Sequence, residues 1–260
     1  MRGKRFIVYV SILVYMFSML CVIALAKPVK KVNRGIARVN KGVNSKTVSI
    51  KNNKKYTSYS SRDNKLTIIL DVGHGGKNRG AYHYGVAEKD INLDFVKLLK
   101  SDLEKQGFKV VLTRETDKEI ELDERVELLN KLQGDIIISI HHNASVYKDK
   151  DGREKIATNK RGFEVYYPLQ EYCVGDRYEK SKKLASLMAN EMKSVKFIKS
   201  SKMLVNDFRV LRKTNKPSIL LEIGYMTNRE ELKCLTDNSN KKELSLRIVK
   251  VLNEYRGIYK

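Results

Sequence analysis

Four residues that lie far apart in the chain have chemistry that would work together. His74 stands in "IILDVGHGG", Glu88 in "VAEKDINL", His141 in "SIHHNA" and Glu222 in "ILLEIGYM". Two imidazoles and one carboxylate are a ligand set for catalytic zinc, which takes nitrogen and oxygen donors tetrahedrally and keeps one position for water. The carboxylate left over can accept a proton from that water and pass it to a leaving group. The residues alone leave two choices open: which glutamate ligates, and whether the second imidazole is His141 or His142. Neighbours on a strand point to opposite sides, so only one of these two histidines faces a given site. Glycines beside His74 permit a sharp turn and close approach of a substrate. Glu222 interrupts an otherwise apolar run, and a buried carboxylate without a partner is costly, so it argues for a site rather than a core.

Such residues need a scaffold that brings them to one rim. "LTIILDVG", "FKVVLTR", "DIIISI", "GFEVYYP" and "PSILLEIGYM" read as strands. Between and after them, "EKDINLDFVKLLKSDLEKQG", "ELDERVELLNKLQG", "DRYEKSKKLASLMANEMKS" and "KKELSLRIVKVLNEYRG" read as helices. The first is amphipathic, with Ile91, Phe95, Leu98, Leu99 and Leu103 on one face, and Gly107 stops it. Strands alternating with helices imply crossover connections. The expected fold is therefore α/β, a single domain with a mostly parallel central sheet flanked by helices. In such sheets chemistry gathers at the carboxyl ends of the strands. His74 falls just past the first strand, His141 just past the third and Glu222 at the end of the fifth. Glu88 opens the first helix, at the same edge.

The blocks "ILDVGHGGKNRGA", "EKDINL", "SIHHNA" and "FRVLRKTNKPSILLEIGYMTN", in this order, resemble the zinc-dependent N-acetylmuramoyl-L-alanine amidases of the amidase-3 type. The resemblance covers residues 66–260. It implies one Zn2+ held by His74, Glu88 and His141, with Glu222 as catalytic acid/base. It also implies peptidoglycan as substrate, cut at the amide between N-acetylmuramic acid and L-alanine of the stem peptide. Two departures stand out. Asn78-Arg79 replaces the usual Asp-Pro of the first block, and His142 follows the ligand histidine where a small or aliphatic residue is common. A wall-binding module without catalysis and a zinc peptidase acting within the stem peptide are the alternative functions. Asn143 and Arg212 are candidate substrate contacts, the latter for a carboxylate. Tyr166, Tyr167 and Tyr225 would flank a sugar or peptide, or merely pack, and His83 in "AYHYG" is a loop residue.

Lys and Arg number 52 against 30 Asp and Glu, for a net charge of +22, which suits an anionic partner. The N-terminus narrows the choice. Arg2, Lys4 and Arg5 precede an apolar stretch over 6–26 that ends in Ala24-Leu25-Ala26. Residues 1–26 are thus either a cleaved signal peptide or an uncleaved membrane anchor, and both send the rest of the chain out of the cytoplasm. An exported chain meets no genomic DNA, so nucleic acid is excluded as a partner. Anionic envelope polymers take its place, reached through residues 27–64. That segment holds eleven Lys and Arg against the single acid Asp63 and reads as a flexible basic linker. Residues 65–260 are the catalytic domain, expected to act as a monomer. Cys173 and Cys234 are candidates for a disulfide outside the cytoplasm.

Overall fold

The computed structural model describes residues 65–259. The apolar segment 1–26 and the linker 27–64 lie outside the described residues. In chain order the first half forms β1 (Thr67–Val72), β2 (Tyr82–His83), β3 (Val86–Ala87), α1 (Glu88–Lys105), β4 (Lys109–Leu112), α2 (Leu122–Lys131) and β5 (Ile136–Asn143). The second half forms β6 (Val146–Lys148), β7 (Glu154–Ile156), β8 (Phe163–Tyr167), α3 (Arg177–Met192), β9 (Ser201–Val205), α4 (Arg209–Arg212), β10 (Ser218–Tyr225), α5 (Arg229–Thr236) and α6 (Asn238–Tyr259). Among the described residues no helix is long and apolar enough to cross a membrane.

Six strands make the central sheet, in the order β4-β1-β5-β10-β8-β9. The pairs β1–β4, β1–β5, β5–β10 and β8–β9 are parallel, and β8–β10 is antiparallel. The single reversal has a simple cause. Between β5 and β8 the chain forms the small β6–β7 hairpin instead of a crossover helix, so it stays at one edge and β8 runs back. Alternation along the strands sorts the core. Ile68, Leu70, Ile136 and Ile138 join a large apolar layer with Phe95 and Leu99 of α1, Leu184 and Met188 of α3, and Ile248 and Leu252 of α6. Ile69, Ile137 and Leu220 point to the other face, where Val126 and Leu129 of α2 and Val210 and Leu211 of α4 cover them. Gly107, at φ 79°, ends the α1 region as expected.

The short helices α4 and α5, the edge strand β9 and the two small hairpins were not legible in the sequence. β9 alternates no apolar residues toward a core, because Lys202, Met203 and Val205 are exposed at the sheet edge. The hairpins β2–β3 and β6–β7 are too short to carry a period. Cys173 and Cys234 are both free.

Candidate active site

The loop after β1 is built to present one imidazole. His74 has φ 61° and is followed by Gly75 and Gly76, also at positive φ. A β-carbon-bearing residue rarely holds this conformation unless its surroundings impose it. Here two buried arginines do so. Arg125 donates to the carbonyls of Val72 (2.7 Å) and His74 (3.0 Å), and Arg114 donates to those of Val72 (3.2 Å) and Gly73 (2.9 Å). Arg125 is itself fixed by Asp71 at 2.6 Å. Ser139 (2.7 Å) and Thr113 (3.1 Å) also donate to this fully buried carboxylate. Burial opposes charge on Asp71, but Arg125 and Ser139 outweigh it and hold the carboxyl below its usual range. None of Asp71, Arg114 or Arg125 emerged from the sequence as a site residue, although an acid inside "IILDVG" was the same kind of signal that marked Glu222.

His74, Glu88 and His141 meet. One ligand atom from each lies within 4.8 Å of the others. His74 Nε2 is 3.1 Å from Glu88 Oε2, and His141 Nδ1 is 2.9 Å from Glu88 Oε1. Donors placed ~2.0–2.2 Å from a tetrahedral zinc stand ~3.3 Å apart, so the two histidine–Glu88 separations and this donor set fit the metal. The cradle is close: a β-carbon on Gly73 would lie 2.4 Å from the His141 ring, and one on Gly80 would lie 2.5 Å from Glu88 Oε2. The outward nitrogen of His74, Nδ1, donates to Asn78 Oδ1 at 2.8 Å, so Nε2, which here faces Glu88, is the nitrogen that would turn to a metal on losing its proton. Burial works against ionising Glu88, but the two histidines hydrogen-bonded to it keep its carboxyl far below the usual range. His142 points elsewhere. It is buried, its Nδ1 sits 2.7 Å from Asn92 Oδ1, and burial pushes its pKa down to about 4.

Glu222 lies beside this group. Its Cα pairs with that of His141 across β5–β10, and Glu222, His141 and His74 together line a cleft of about 340 Å³. Ile120, Leu122, Phe208 and Leu220 give the cleft apolar walls, and Arg209 adds a cation. Glu222 Oε2 is buried with no hydrogen-bond partner. Burial, then the charges of Glu88 and Glu164, raise its pKa well above the carboxylate norm. Glu164, on the antiparallel strand, is paired opposite Glu222. It accepts hydrogen bonds from Tyr166 (2.6 Å), Tyr225 (3.0 Å) and Asn143 (3.3 Å). It escaped the sequence reading because it stands at the start of a strand rather than at an end.

The comparisons with known proteins name one family. The family model described as N-acetylmuramoyl-L-alanine amidase matches residues 68–254. The chain belongs to the amidase-3 family. It is 32% identical over 192 residues to a probable cell wall amidase, LytH, of Staphylococcus saprophyticus, covering 73% of this chain and 58% of that protein. The chain thus spans somewhat over half the length of that curated relative. Among solved structures it is similar to an N-acetylmuramoyl-L-alanine amidase of Clostridium difficile 630, at 29% identity and a TM-score of 0.61 over 74% of this chain and 97% of that one. It is also similar to the CwlD amidase of Clostridioides difficile, solved in complex with the GerS lipoprotein, at 28% identity and a TM-score of 0.64 over 75% of this chain and 100% of that one.

Within this amidase-3 domain the remaining candidates fall in different places. Asn143 holds Glu164 instead of pointing into open space. Arg212 is not among the cleft-lining residues; it pairs with Asp207 at 2.9 Å and lies over Tyr172. Arg209, three residues earlier, lines the cleft together with Arg125 and pairs with Asp123. Tyr166 and Tyr225 serve Glu164, while Tyr167 packs against Tyr178. His83 lies in the β2–β3 hairpin beside Tyr84.

Proposed function

We propose that this chain is a zinc-dependent peptidoglycan hydrolase that cleaves the amide between the lactyl group of N-acetylmuramic acid and L-alanine of the stem peptide. The observation that carries this reading is the meeting of His74, Glu88 and His141 beside the unpartnered carboxylate of Glu222 in one cleft. A zinc ion on His74, Glu88 and His141 would polarise the scissile carbonyl and lower the pKa of the attacking water to about 7. Glu222 takes the proton from that water and returns it to the alanine nitrogen as the amide breaks. Its raised proton affinity, caused by burial and two neighbouring carboxylates, suits it to both steps. Asp71, Arg114 and Arg125 keep the His74 loop in place so that the donors do not reorganise during the reaction. The reaction takes place outside the cytoplasm, with residues 1–26 as signal peptide or anchor and residues 27–64 as a tether that meets anionic envelope polymers.

The test is digestion of purified sacculi with zinc-loaded protein, followed by mass spectrometry of the muropeptides. New L-alanine amino termini beside sugars that keep their lactyl carboxylate are expected. Cuts further along the stem would make the chain a peptidase. Binding without release would make it a wall-binding module.

A further inference from the structure

The substrate of the proposed reaction is branched at the bond that breaks. A sugar chain extends from the carbonyl side and a peptide from the nitrogen side, so a complete site needs two differently lined surfaces leading away from His74, Glu88 and His141. The cleft with Phe208, Arg209 and Leu220 is one. A second surface shares no lining residue with it. The β2–β3 hairpin begins two residues after Gly80, which lies against Glu88 and the His74 ring. Its root, Ala81 and Val86, packs on a separate apolar cluster of Ile91, Met226 and Leu232. The β6–β7 hairpin is tied to the same place through one residue. The Thr227 carbonyl accepts from the Tyr84 hydroxyl at 3.2 Å, and its own hydroxyl accepts from the Ser145 backbone N–H at 3.3 Å. Asn228 donates to the Thr158 carbonyl at 2.6 Å and closes the base of the second hairpin.

On this common footing, Tyr82, Tyr84 and Tyr147 are 53%, 51% and 56% exposed. The first two rings are held in place. The Arg79 guanidinium lies 5.0 Å from the Tyr82 centroid and that of Arg229 lies 5.7 Å from the Tyr84 centroid. Tyr84 keeps a φ of 53° with its hydroxyl anchored. Val146 and Ile156 add exposed apolar surface, and a groove of about 630 Å³ runs beside Tyr147 past Thr158, Asn159 and Lys160. In the β6–β7 hairpin Lys148, Lys150, Arg153 and Lys155 are offset by Asp149, Asp151 and Glu154. The flat rings and the short polar side chains of Thr158 and Asn159 suit an N-acetylated sugar, which offers apolar C–H faces and amide groups, while Arg79 and Arg229 are engaged over the Tyr82 and Tyr84 rings.

We propose that the ledge of Tyr82, Tyr84 and Tyr147 is the subsite for the glycan strand, binding the N-acetylated sugars that flank the muramic acid being stripped of its peptide. This rests on the amidase reading above. The test uses the full zinc-loaded chain and a Tyr82→Ala/Tyr147→Ala variant; neither side chain belongs to the metal group or to the cleft. Tetra-N-acetylchitotetraose, titrated while the tyrosine fluorescence is followed, is expected to bind the wild type saturably and the variant not at all. A Tyr82→Phe/Tyr147→Phe variant, which keeps the rings, should bind like wild type. On polymeric glycan chains the alanine variant should show a KM raised on the order of tenfold, the loss of ~60 Å² of apolar contact, with kcat unchanged. On N-acetylmuramoyl-tripeptide, which lacks flanking sugars, both constants should match wild type. Failure of chitotetraose to bind, an unchanged KM on polymer, or an equal loss on both substrates would each overturn the assignment; the first two together would point to a protein partner for the ledge. Sugar binding needs no hydrolysis, so a wild type that binds chitotetraose and leaves the muramoyl amide intact would refute the amidase reading alone.

Discussion

Glu222 is costly to the fold and useful to the chemistry. A buried carboxylate with one oxygen unpartnered, between the charges of Glu88 and Glu164, destabilises its own ionised form. Glu222→Gln should therefore keep zinc, lose turnover by about 10²–10⁴-fold, and melt no lower than wild type. Zinc content, sacculus digestion and thermal unfolding check the three parts; normal digestion by this variant would remove Glu222 from the mechanism. Asn78 makes a second prediction. Its Oδ1 accepts from both His74 Nδ1 and the Gly80 backbone N–H at 3.1 Å, so the amide orientation and the His74 tautomer fix each other. Asn78→Ala should weaken zinc binding by about 10–100-fold in competition with a chromophoric chelator. An unchanged affinity would show that the loop alone orients the ring. At this scale the sequence was informative where a polar residue broke an apolar run or sat among glycines. Geometry was required to see that Asp71 and Glu164, polar residues of the same kind, serve by holding Arg125 and by facing Glu222.

At the scale of elements, the site depends on where strands and helices begin and end. β1, β5 and β10 are parallel and in register, so their last residues share a rim, and this followed from the alternation of apolar runs and helical periods. What alternation could not tell was that one connection would be a hairpin, which turned β8 around and brought Glu164 to the same rim. Helix α1 carries Glu88 on its first residue, and its far end is pinned to α6. The Asp102 carboxylate, almost fully buried, accepts from Ser245 at 2.7 Å and pairs with Lys242. Burial resists its ionisation, but Lys242 and Ser245 outweigh that and hold its pKa below the usual value. A carboxylate with a depressed folded-state pKa stabilises the fold above its unfolded pKa, ~3.9, and loses this contribution as pH falls through the folded value. Asp102→Asn should therefore cost about 1–3 kcal/mol in denaturant unfolding at pH 7. The gap to wild type should narrow steadily once the pH drops below ~4. A gap independent of pH would mean that packing, and not charge, joins these helices.

Across the whole molecule the charge is unevenly spread. Residues 1–64, a quarter of the chain, hold fourteen Lys and Arg against one acid, so they carry more than half of the net +22. The amidase-3 domain, by comparison, spends many of its cations locally: Lys89 on Asp117, Lys241 on Asp94, Arg247 and Lys250 on Glu191. If residues 27–64 bind an anionic polymer, they do so as a diffuse cation whose grip weakens once salt shortens the screening length from ~10 Å at 0.1 M to ~3 Å at 1 M. Such a tether raises the concentration of the domain near its substrate without touching the chemistry. Deletion of 27–64 should therefore reduce retention on isolated walls at low salt and leave hydrolysis of soluble muropeptides unchanged, and the two proteins should behave alike at high salt. Retention that survives the deletion would shift the electrostatic role to the folded domain, whose surface pairs would then have to be broken to bind. A loss of activity on soluble fragments would instead give the linker a part in the site itself.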